Sequence, residues 1–84
     1  MLTEAATCAA VIGLDVGKLS HWACHVTRQG EVLRNEPVSN TEHDLDGLFA
    51  QAEAGTLVVV DQVRNIGSLA ISRARLAGLP VAYL

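Results

Sequence analysis

Basic residues are scarce in this chain of 84 residues: six Lys and Arg stand against nine Asp and Glu, for a formal net charge of -3. A protein that grips a nucleic-acid backbone by charge alone carries a positive stripe, because each neutralised phosphate releases counterions. The balance seen here excludes a stand-alone, sequence-independent DNA binder. Cysteine is sparse too. Cys8 and Cys24 lack C-x-x-C spacing and build no disulfide framework. No cleavable signal and no apolar run of membrane-spanning length are evident, so a soluble protein of the reducing cytoplasm, with no membrane partner, is expected. Internal repeats and low-complexity linkers are missing as well, which leaves one globular unit as the ceiling. Half of the residues are hydrophobic, enough for a core. At this length only ~60–65% of the unfolded surface is buried on folding, so the margin of stability is thin.

After a loose start over residues 1–8, the run Ala9 to Leu14 is almost wholly apolar and stops at Asp15. That pattern predicts a central strand buried on both faces. Gly17 allows a tight turn. Ser20 to Arg28 then alternates, with Trp22, Cys24 and Val26 on one side and His21, His25 and Thr27 on the other. Gln29-Gly30 is a two-residue hairpin signal, and Glu31 to Val38, with its charges and Pro37, suits an edge strand. Ser39, three residues before Glu42, resembles a capping box, and Leu45, Leu48, Phe49 and Ala52 keep helical spacing up to a stop at Gly55. Thr56 to Val60 is a second buried strand, again ended by an acid, Asp61. Ile66, Leu69, Ala70 and Ala74 mark a second helix, Gly78 ends it, and Pro80 opens a last strand, Val81 to Leu84. The element order is βββαβαβ. This is an α/β fold with a mixed five-stranded sheet in the order 3-2-1-4-5 and strand two antiparallel.

Two apolar strands that each end in a carboxylate are the informative feature, because ligands of open α/β sheets gather at the carboxyl ends of strands. Singly, Asp15 or Asp61 reads as the cap of a turn or helix. Together they point to a shared divalent ion, and oxygen ligands favour Mg²⁺ or Mn²⁺ over zinc. Such ions serve in-line attack on a phosphodiester, one activating the nucleophile and another stabilising the leaving oxygen.

Val11-Ile12-Gly13-Leu14-Asp15-Val16-Gly17-Lys18 resembles the opening motif of RuvC-like nucleases, and in particular of the DEDD transposases of the IS110 family, relatives of the Piv invertase. Ser39-Asn40-Thr41, the Leu57 to Gln62 strand with its acid, and Gly78 to Leu84 are similar to that family's N-terminal domain. The likeness runs from Val11 to the last residue. It implies a ribonuclease-H-like domain, of which residues 1–84 are the N-terminal part, and a transposase or recombinase that acts on DNA through four metal-binding acids. A structured guide RNA serves some members. Asp15 matches the first acid. Asp61 stands where the second, usually Glu, is found, and its shorter reach changes the metal geometry. The resemblance puts the last two acids beyond Leu84, so the 84 residues alone are expected to bind metal weakly and to be inactive.

Other residues carry weaker signals. Lys18 fits a phosphate contact as well as it fits a solvated turn, and Arg64, with Arg73 and Arg75, fits a small basic face. His21 and His25 read as exposed strand histidines with no third zinc ligand in reach. Trp22 reads as core rather than as a base-stacking platform. Three other assignments remain open: a Holliday-junction resolvase, an actin-like or sugar-kinase phosphate-binding domain suggested by Asp15-Val16-Gly17, and a non-catalytic relic that self-associates. A homo-oligomer is expected, because the last strand is apolar on both faces.

Overall fold

The computed structural model describes residues 10–61 and 67–84. The expected loose start at residues 1–8, and Arg64 and Ile66, lie outside the described residues. The chain runs through β1 (Val11–Asp15), β2 (Ser20–Val26), β3 (Val32–Ser39), α1 (Glu42–Ala50), β4 (Leu57–Asp61), α2 (Ser68–Leu76) and β5 (Val81–Tyr83). The five strands form one sheet in the order β3-β2-β1-β4-β5. β2 is antiparallel to both neighbours, while β1, β4 and β5 run parallel. Element order and sheet order are those expected.

The meander is closed by a turn in which the Gly30 N–H donates to the Thr27 carbonyl at 2.9 Å and the Thr27 N–H to the Glu31 carbonyl at 2.8 Å. Gly30 sits at φ 91°, a backbone that L side chains rarely adopt. The connection is therefore the three-residue kind, a turn followed by a left-handed glycine, rather than the two-residue one suggested by Gln29-Gly30. The start of α1 also shifts. β3 continues through Ser39, so the cap passes to Thr41, whose hydroxyl accepts the Asp44 N–H at 3.2 Å. Glu42 and Asp44 in the first turn complement the helix dipole. α1 ends at Ala50 with Gln51 as its cap, short of Gly55, which instead takes φ 86° in the turn leading to β4.

One sheet face carries the core. Ile12, Leu14, Ala23, Val38, Val58 and Val60 pack with Leu45, Leu48 and Phe49 of α1 and Ala70, Ile71 and Ala74 of α2. Complete burial of a side chain such as Phe49 contributes about 1.5–3 kcal/mol. The two helices are tied together by Arg73, whose Nε and terminal nitrogen donate to the two Asp46 oxygens at 2.8 and 2.7 Å. The opposite sheet face is open. Along β1 and β4 only alternate residues are fully buried, so the expectation of strands buried on both faces is corrected: Val11, Gly13, Leu57 and Val59 remain partly accessible.

β2 turns opposite to its apolar pattern. His21, Ala23 and His25 face the core at 1%, 0% and 3% exposure, whereas Trp22 is 48% exposed. The register explains it: Trp22 pairs with Asp15 and Cys24 with Gly13, so these residues share the open face that bears the carboxylate. Ala23 is small, and its flanking histidines are polar, so side-chain hydrophobicity alone pointed the wrong way. The two histidines are thus not exposed, and Trp22 is not core.

Candidate metal centre at the strand ends

Asp15 ends β1 and Asp61 ends β4, and they are register partners in the parallel pair. Neighbouring strands lie ~4.8 Å apart, which sets the two carboxylates side by side on the same face. Both are exposed to solvent. The Val16 N–H donates to the Asp61 carbonyl at 3.1 Å, so the pairing extends one residue past the end of β1 and holds the two strand ends together.

Around the pair is a shallow hollow of about 310 Å³, lined by Asp15, Asp61, Gly13, Trp22, Val59 and Leu84 among others. Its walls are mostly apolar and its acids stand at one end. The Trp22 ring borders this hollow, and its Nε1–H donates to the Asn35 Oδ1 of β3 at 2.6 Å, on the side away from β1. Trp22 is the member of the site that pattern reading missed. Only the register reveals it, because a residue paired with Asp15 across an antiparallel ladder must share its face.

Lys18 is exposed in the turn that follows β1, at the acid end of the sheet. Arg73 is turned to Asp46 and Glu42, and Arg75 to the Tyr83 hydroxyl at 2.9 Å, so neither joins a basic face at the acids. His21 and His25 project to the helix side, away from the carboxylates. No group of three or more His, Cys, Asp and Glu side chains able to hold a metal occurs among the described residues. Among those residues, too, no helix is long and apolar enough to cross a membrane.

A mixed five-stranded sheet in this order, with two helices on one face and its central parallel strands each ending in a carboxylate, defines an α/β protein with an acid pair at the strand ends. The particular family follows from comparison with known proteins. The model of the DEDD family of insertion element IS110, described as transposase, matches residues 12–84, and the chain belongs to that family. It is also 42% identical over 76 residues to the insertion element IS110 uncharacterized 43.6 kDa protein of Streptomyces coelicolor. That match covers 87% of this chain and 19% of the relative, so the chain spans about a fifth of the length of the curated protein it resembles.

Proposed function

We propose that these residues are the N-terminal part of a DNA transposase domain and supply two of the carboxylates of its metal-dependent phosphoryl-transfer site. The observation that carries this reading is the register pairing of Asp15 with Asp61 at the ends of adjacent parallel strands, on the face left open by the helices. Two exposed carboxylates side by side suit a hard cation such as Mg²⁺ or Mn²⁺, which takes oxygen ligands and keeps several waters. They do not saturate it. Asp61 is one methylene shorter than the Glu its family position implies, so water must fill more of the coordination sphere on that side.

A divalent ion bound there would, with a second one, activate the attacking oxygen and stabilise the leaving one. Asp15 and Asp61 would hold and orient it, the open face would admit the DNA backbone, and Lys18 would offer a point charge to a phosphate near the turn. Arg64, three residues beyond Asp61, is the second candidate for such a contact. DNA is the substrate, and a structured RNA partner is compatible with the domain. With two carboxylates and no further metal-ligating cluster among the described residues, the 84 residues alone carry out neither cleavage nor strand transfer.

The test is a Mn²⁺ titration followed by electron paramagnetic resonance, together with a plasmid-cleavage assay. Weak binding that disappears in Asp15→Asn and in Asp61→Asn is expected, with no cleavage. Tight binding that survives Asp15→Asn contradicts the assignment of the site. Metal-dependent cleavage abolished by Asp61→Ala contradicts the inactivity of the isolated residues.

A further inference from the structure

The histidine at position 21 is almost wholly buried, at 1% exposure, yet both of its ring nitrogens have partners. The Gly17 N–H donates to Nδ1 at 3.2 Å, which leaves Nδ1 without a proton. Nε2 therefore carries the hydrogen and donates to the Asn40 Oδ1 at 2.9 Å. That orients the Asn40 amide so that its Nδ2 donates to the Lys18 carbonyl at 3.1 Å, while the Asn40 backbone N–H donates to the Leu19 carbonyl at 2.9 Å. With the Val16 N–H on Asp61, each of the four residues from Val16 to Leu19 is tied by one backbone group. Three of the four ties run through His21 and Asn40. The turn is also closed tightly enough that a Cβ at Gly17 would lie 2.4 Å from the Ser20 carbonyl oxygen.

A neutral imidazole is an expensive way to fill an inward position of a sheet, since a burial of this kind is tolerated only when every polar atom is bonded. An aliphatic residue would pack there without that requirement. What His21 adds is a rigid acceptor and donor on opposite sides of one ring, bridging the β1–β2 turn to the β3–α1 loop. Asp15 is two residues before Gly17 and projects to the opposite face, so the clasp holds the carboxylate's backbone from behind without touching the metal position.

We infer that His21 and Asn40 are positioning residues, which clamp the turn after Asp15 and so set the carboxylate geometry for divalent-ion binding at Asp15 and Asp61. This rests on the metal site proposed above. Outer partners that orient a ligand typically account for 10–100-fold in metal affinity. Because the clasp acts through backbone, the lower end of that range, about 10-fold, is the expected loss.

The test compares the full 84-residue chain with His21→Leu, His21→Asn and Asn40→Ala, by Mn²⁺ titration and by hydrogen exchange of the backbone amides at positions 17 and 40. A core variant of matched stability loss, Leu48→Ala or a milder Leu48→Val, serves as the reference for a purely structural effect. His21→Leu and Asn40→Ala are expected to speed exchange at the turn and weaken Mn²⁺ about 10-fold. His21→Asn, which keeps an acceptor near the Gly17 N–H, recovers part of that loss, and the Leu48 variant leaves affinity unchanged. If His21→Leu fails to fold, Asn40→Ala decides, since its side chain lies in a loop. Faster exchange with unaltered Mn²⁺ affinity reduces the clasp to a structural role and overturns the inference; unaltered exchange overturns the clasp itself. Failure of the metal site shows separately, as wild-type Mn²⁺ binding that is indifferent to Asp15→Asn.

Discussion

Val58 and Val59 are neighbours on β4 with the same intrinsic strand preference, and they face opposite sides of the sheet. Val58 is 0% exposed beneath the helices, whereas Val59 lines the open hollow beside Asp61. Val→Thr preserves shape and β-propensity while replacing a methyl by a hydroxyl, so the pair isolates burial from every other variable. At position 58 the hydroxyl enters the aliphatic cluster formed by Ile12, Leu14, Leu45 and Phe49, where an uncompensated hydroxyl costs roughly 1–3 kcal/mol. At position 59 it reaches water, and the cost stays within about 0.5 kcal/mol. A domain of this size shifts its melting temperature by about 4–8 °C per kcal/mol. Val58→Thr should therefore melt some ~4–24 °C lower, and Val59→Thr within ~4 °C of the parent. Far-UV circular dichroism of thermal unfolding, supported by urea midpoints at unchanged m-value, reads both. Equal losses at the two positions, or a larger loss at 59, would refute the assignment of one covered and one open face.

Four further outcomes follow from the same geometry. Burial, and secondarily Arg34, holds His25 below its ordinary 6.5, so protons bind the unfolded chain first: stability is complete above about pH 6.5 and declines as pH falls through that value. His25→Leu should flatten this part of the pH–stability curve, and an unchanged slope counts against it. The Arg73 fork on Asp46 holds that carboxyl below its ordinary 3.8, a contribution present above that pH and lost as pH falls through the folded value; Arg73→Gln should remove it. The sole tryptophan, Trp22, should emit as a solvent-accessible indole and be quenched freely by acrylamide, whereas blue-shifted, protected emission would mean that the ring is covered. Sedimentation at micromolar concentration should show a dimer or larger species, since the open face and the β5 edge expose Trp22, Tyr83 and Leu84; a strictly monomeric profile contradicts that.

Local pattern was enough for the order of elements, because each has a period or punctuation of its own: apolar runs that end at Asp15 and Asp61, helical spacing through Leu45, Leu48 and Phe49, and glycine at the turns. Sheet order followed, since hairpin connections and parallel crossovers leave few topologies. The acid pair was legible for the same reason, as an acid closing each central strand must stand beside its counterpart once the strands are neighbours. Which face of β2 turns inward was not legible. Strand hydrophobicity counts the side chains on each face, and by that count Trp22, Cys24 and Val26 belong inside. The ladder decides otherwise: β2 must bring Trp22 opposite Asp15, and the helices cover the other face. That choice depends on which side α1 and α2 take, a property of the assembled chain rather than of any segment. The role of His21 was hidden for the same cause. Its partners Gly17 and Asn40 lie 4 and 19 residues away, and only the folded sheet brings the turn and the loop to the two sides of one imidazole.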